Sequence, residues 1–212
     1  MVIRIKDNIA PFIIIGLLSG VIFRFADVIQ ASGFIQSYLE FAKINLNLKA
    51  DYLSAFSEHI APVTLSYSLI FIYVLATFHR IVWGEVSPRG TWLTKRVINP
   101  VALFSSSLAV AMLGLLIGIA IASLGESWRY SLAFLIACAY PVSYMFLLKA
   151  GVGFVYDDRH HKVTDFFIDN TPRSIKSRAQ GVYMLIMATI VITFHSHIFV
   201  FIDYIGKSVI GL

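Results

Sequence analysis

The stretch Asn99–Leu124, NPVALFSSSLAVAMLGLLIGIAIASL, contains no charged residue. An α-helix rising 1.5 Å per residue needs about 20 apolar positions to cross a hydrocarbon layer of ~30 Å. Val101–Leu124 satisfies this, with only small hydroxyls and glycines interrupting its Leu, Ile, Val and Ala. Asn99 followed by Pro100 reads as an N-cap with proline at the first helical position, so the span runs 100–124.

Four further blocks of similar length flank it: Ile9–Ile29, Ile60–Val82, Ser131–Val155 and Val182–Ile205. Thr171–Pro172 repeats the Asn-Pro start signal, which places the beginning of the last helix about ten residues ahead of its apolar block. The expected fold is all-α: a polytopic bundle of five transmembrane helices forming a single integral membrane domain over residues 1–212. Composition agrees. Of 212 residues, 58% are hydrophobic and 14% charged, against roughly a quarter charged in soluble domains, and the mean hydropathy is +0.79.

Lysine and arginine set the orientation. Arg4, Lys6, Arg80, Arg89, Lys95, Arg96, Lys149, Arg159, Lys162, Arg173, Lys176 and Arg178 fall on one side of the alternating spans. Lys43, Lys49, Arg129 and Lys207 fall on the other, and Arg24 lies within the first span. Twelve against four, alternating through every loop, places the N-terminus and loops 83–99 and 156–181 in the cytoplasm and the C-terminus outside. The default location is a bacterial cytoplasmic membrane. Arg4 and Lys6 ahead of an apolar run also fit a signal peptide. The length of that run, and the helix-packing spacing of Gly16, Ser19 and Gly20, favour an uncleaved first span.

The net charge of +5 follows from these loops, and no basic stretch is interleaved with aromatics as in a nucleic-acid module, so direct nucleic-acid binding is not expected. With Cys138 as the single cysteine, an intrachain disulfide and a cysteine metal cluster are both excluded. The outer segment 31–59 places Phe34, Ile35, Tyr38, Leu39 and Ala42, then Tyr52, Leu53, Phe56 and Ile60, at helical spacing. That pattern predicts two short amphipathic helices, broken near Asn45–Leu48, lying on the outer face or capping the bundle.

Gly16 and Gly20 form one GxxxG; Gly114 and Gly118 form another, continued by Ala122. Such spacing lets helix backbones approach closely, within a chain or between copies, and an oligomer is therefore expected. Arg24 and Asp27 share a face and approach the outer headgroups, where a snorkelling pair is the simplest reading. His79, His195 and His197 raise bis-histidine haem, but His79 sits near the inner end and His195 about 20 Å from it, so the depths disagree and no cofactor is assigned. His195 and His197 are read as polar contacts near the outer interface.

Asp157, Asp158, His160 and His161 lack any metal-site spacing and read as a solvated loop. Tyr140, Pro141 and Ser143 mark a kink. Ser105, Ser106 and Ser107 read as packing hydroxyls, and the chain has no GxSxG. The basic residues Arg89, Lys95, Arg96, Arg173, Lys176 and Arg178 gather on the cytoplasmic face. They suit membrane lipid headgroups or an acidic soluble cytoplasmic protein. No catalytic constellation is present in these readings, so the expected function is a non-enzymatic membrane subunit that anchors or signals. The alternative is a small oligomeric channel or transporter, weakened by the lack of ionisable groups near the midplane.

Overall fold

The computed structural model describes residues 9–43, 64–79, 82, 92–125, 127–156 and, discontinuously between 182 and 209, residues 182, 185, 186, 189, 190, 193, 195, 197, 198, 200–202 and 204–209. Among these the chain is helical throughout apart from short turns, with no strand. The helices are α1 (Ile9–Arg24), α2 (Ala26–Gln30), α3 (Gly33–Ala42), α4 (Ser66–Phe78), α5 (Asn99–Ser123), α6 (Trp128–Ala137) and α7 (Ala139–Tyr156), with a π-helical turn at Thr94–Ile98 leading into α5. The described residues from 182 to 209 are also helical.

Two continuous helical stretches are long and apolar enough to cross a membrane: Thr94–Ser123, at 30 residues, and Trp128–Lys149, at 22. Five were expected. The first apolar block is cut by a turn at Phe25, so α1 ends after 16 residues and α2 carries only five more. α4 has 13 residues, and the positions bordering it, 60–63 and 80–81, lie outside the described residues, as does part of the last block.

The expected N-cap at Asn99 is also corrected. Asn99 is itself helical, Ile98 precedes it with φ −62° and ψ −47°, and no side chain caps the end. A proline normally clashes with the carbonyl four residues back and removes one hydrogen bond. The wider π register of Thr94–Ile98 displaces those carbonyls, so the helix runs through Pro100 instead of starting there. Pro141 acts as expected: the path breaks one turn earlier, at Cys138, whose N–H is shared between Phe134 O and Leu135 O at 3.2 Å each.

α5 is the central element and touches α1, α4, α6 and α7. The main core joins Leu65, Leu69, Ile72 and Tyr73 of the α4 region to Ala102, Ala109, Met112 and Leu116 of α5 and Tyr140, Tyr144 and Leu148 of α7; a smaller one joins Phe23 to Leu115 and Ile119. Contacts fix the helix directions. Gly16 and then Gly20 meet Ala111–Leu115 and then Leu115–Ile119, so α1 and α5 are parallel. The Tyr73 hydroxyl donates to Leu147 O at 2.8 Å and its ring lies on Gly151, whereas His195 joins Ser66, one end of α4, to Tyr140, so α4 and α7 are parallel. The Ser131 hydroxyl donates to Ala120 O at 2.7 Å, folding α6 back antiparallel to α5.

The exterior is apolar on every long helix: Ile14, Ile15, Leu18 and Ile22 of α1, Tyr67, Phe71, Val74 and Phe78 of α4, Phe104 and Ile121 of α5, and Leu135 and Phe146 of α6 and α7 are exposed. Of the outer segment 31–59, the first amphipathic helix is α3, closed by Lys43 in the left-handed conformation at φ 53°. The second and the expected break near Asn45 lie outside the described residues.

Candidate functional site

The four glycines pair within one chain. A Cβ built on Gly114 would lie 2.5 Å from Ile13 O and 3.2 Å from Gly16 Cα; on Gly118, 2.5 Å from Leu17 O and 3.1 Å from Gly20 Cα; on Gly20, 2.9 Å from Gly118 Cα, with Leu115 O closer still. Backbones this close replace side-chain interdigitation with dispersion and Cα–H···O contacts. Ala122 is half-buried one turn beyond. Because α1 and α5 consume both motifs, these glycines are not a free surface for a second copy, and the oligomer expected from them loses its argument.

The other side of the bundle holds buried polar groups. His195, with only 2% of its surface exposed, sets Nδ1 3.2 Å from Ser66 Oγ. Its ring centroid lies 5.0 Å from that of Tyr140 and 6.0 Å from that of Tyr144. Either the serine O–H donates to Nδ1 or an Nδ1–H donates to the serine oxygen; in both tautomers Nε2 is buried without a partner. The Tyr144 hydroxyl is likewise buried and unbonded, with Ser105 alongside it. Each unmet buried polar group costs about 1–3 kcal/mol, which is why such groups mark sites where stability has yielded to another demand. At the C-terminal end of α4 and just ahead of α5, Thr77, His79 and Thr94 are also buried, and the Oγ1 atoms of both threonines lack partners. The π turn that carries Thr94 is a deviation often found at functional sites.

His195 and His197, read together as interfacial, are separated: His195 is in the core and His197 is exposed. Positions two apart on a helix point about 200° apart, so one of them must leave the face the other occupies. Arg24 is half-buried and Asp27 exposed, on either side of the break at Phe25. Lys95 and Arg96 are exposed on the π turn beneath α5. Arg89, Arg173, Lys176 and Arg178, and the Asp157–His161 cluster, lie outside the described residues. Ser66, Thr77, Thr94 and Tyr144 were not singled out from sequence; the available signal was two tyrosines four apart, Tyr140 and Tyr144, in the middle of an apolar block instead of at its ends.

Comparison with protein-family models, curated proteins and solved structures returns no match for this chain.

Proposed function

We propose that this chain is a non-enzymatic integral membrane subunit of five spans, N-terminus inside, that anchors or signals to a soluble protein through its basic cytoplasmic rim. The observation that carries the reading is the exterior. Large side chains on α1, α4, α5, α6 and α7 are exposed together, a surface far beyond the few hundred Å² of contiguous apolar patch that a soluble monomer tolerates, but suited to lipid.

The helix directions agree with this. Spans one and three run parallel, spans two and four run parallel, and span four opposes span three, as alternate crossings of one bilayer require. At the inner end Lys95 and Arg96 stand exposed, and the positive-inside count brings Arg89, Arg173, Lys176 and Arg178 to the same side. Headgroups attract such residues at about 1 kcal/mol each, and an acidic protein surface offers the same complement with greater specificity. We place such a subunit in a bacterial cytoplasmic membrane, as the sensor of a secretion, conjugation or phage-defence assembly.

A small channel or transporter is the second reading, favoured by one observation: buried polar side chains recur through the depth of the core, from Thr94 and Thr77 through Ser105 and Tyr144 to His195. Purification from the native host in mild detergent, followed by flux measurement in liposomes, separates the two. A stoichiometric soluble partner, lost on Lys95→Glu with Arg96→Glu while membrane insertion persists, supports the anchor. Ion flux from the purified protein alone, with no partner, sinks it in favour of the channel.

A further inference from the structure

We propose that α3 is an interfacial helix that seats Phe34, Tyr38 and Phe41 in the outer leaflet, with phospholipid as the occupant; this rests on the bilayer reading above. The three aromatics recur at i, i+4 and i+7, within an arc of about 60° on the helix surface. Phe34 is 83% exposed, Phe41 87% and Tyr38 57%. Ile35, Leu39 and Ala42 occupy the adjoining arc and are half-buried, whereas Gln36, Ser37, Glu40 and Lys43 complete the circle. The Ser37 hydroxyl donates to Gly33 O at 2.8 Å and is satisfied within the helix. α3 is therefore amphipathic, its aromatic arc uncovered and none of its residues fully buried.

Position selects the occupant. α1 rises about 24 Å over its 16 residues and α2 adds a further turn beyond Phe25, so α3 begins near the far boundary of a ~30 Å hydrocarbon layer. Only Ala31 and Ser32 separate it from α2, where Phe25, Val28 and Ile29 are exposed below it; the stripe continues the apolar exterior upward. Amphipathic helices at this level bury their apolar side about 5–10 Å into the headgroup and acyl boundary. A second copy fits less well. Three aromatics burying roughly 150–250 Å² each fall short of the roughly 800 Å² per side of a stable protein interface. The single acid and single base on the polar arc also give a charged partner no complement, and lipid needs none.

The test is nitroxide accessibility in phosphatidylcholine vesicles, on the full chain in a Cys138→Ser background. There the serine hydroxyl can keep the 3.3 Å contact that the thiol makes to Phe134 O. Labels replace Phe34, Tyr38 or Phe41, then Gln36 or Glu40, with Leu18 and Phe104 labelled as bilayer controls. Oxygen, which concentrates in lipid, is expected to outcompete a water-soluble nickel chelate at 34, 38 and 41, and the preference reverses at 36 and 40. If Leu18 and Phe104 favour nickel, the bilayer reading itself falls. If those controls favour oxygen and 34 and 41 favour nickel, α3 is solvated and this inference alone is overturned. Shielding of 34 and 41 from both reagents means that protein covers the stripe, which overturns it equally.

Discussion

Replacing Gly114 with alanine should separate α1 from α5. The new Cβ would sit 2.5 Å from Ile13 O and 3.1 Å from Leu17 N, whereas a relaxed C···O contact is about 3.3–3.6 Å. The obstruction is backbone, so no rotamer relieves it, and α1 must retreat by roughly 0.8 Å or more to restore that contact. A gap of 0.5–1 Å forfeits about a quarter to a half of each dispersion well along the seam, and overpacking of this kind costs about 1–3 kcal/mol. Gly118→Ala meets Leu17 O at the same 2.5 Å and demands the same retreat. The double variant should therefore lose distinctly less than the sum of the singles, because one displacement relieves both clashes. Reversible unfolding in mixed micelles with a rising fraction of denaturing detergent reads these values. Gly206→Ala is the control: nothing lies within 4 Å of its added Cβ, so helix propensity should leave it unchanged or raise its stability by up to about 1 kcal/mol. A Gly114→Ala midpoint equal to wild type would refute the seam. So would a Gly114→Leu protein that changes particle size in detergent while keeping its stability, since the glycines would then lie between copies.

Tyr73→Phe removes the hydroxyl that donates to Leu147 O and should cost about 0.5–1.5 kcal/mol in the same assay; no loss would mean that lipid or water substitutes for it. Gly151→Ala places a Cβ 2.7 Å from Tyr73 Cε2 and should cost about 1–3 kcal/mol, much of it recovered with Tyr73→Leu, and an undiminished penalty in the double variant would show that the ring is not the obstruction. His195→Leu with Ser66→Ala removes a half-buried hydrogen bond together with the unmet Nε2, so stability should hold or rise by about 1 kcal/mol; a loss above about 3 kcal/mol would show that the imidazole is satisfied in the folded protein. Reporter fusions at Leu212 should be active outside and those at Met1 inside, and equal sidedness would remove the topology on which the docking rim depends.

Apolar length located helix within the described part of each expected block, but among the described residues only Thr94–Ser123 and Trp128–Lys149 are long and apolar enough to cross a membrane, where five such helices were expected. The breaks were less legible. Nothing in the composition around Phe25 distinguishes a turn from a continuing helix, and Asn99–Pro100 carries a start signal that the π turn overrides. The glycine motifs were legible as motifs, but spacing alone does not say which helices pair. Their partnership rests on Ala111, Leu115 and Ile119 presenting backbone to Gly16 and Gly20. That His195 and His197 face different surroundings, one buried and one exposed, follows from the helix repeat, which turns positions two apart away from each other. Orphaned atoms such as Tyr144 Oη and the threonine Oγ1 groups depend on distances that no linear pattern encodes.

α5 shows why its own sequence was ambiguous. An apolar helix with no charged residue on any side reads as lipid-exposed or as centrally buried, and the two environments demand the same hydrophobicity. Its side-chain sizes resolve the question. Ala111, Gly114, Leu115, Gly118 and Ala122 cluster on one face, which the backbone of α1 approaches, whereas Ala102, Ser105, Ala109, Met112 and Leu116 lie about 140° away, toward α4 and α7. Leu103 and Ile121 are left exposed between them, and Phe104 is exposed nearer the start of the helix. A helix bound on two faces and solvated on a third is a spacer whose position sets both the glycine seam and the polar core. Substitutions at Gly114 and at His195, which meets the core around α5 through Tyr140 and Tyr144, should therefore be energetically coupled through α5; a double variant whose effect equals the sum of the singles would separate the two regions.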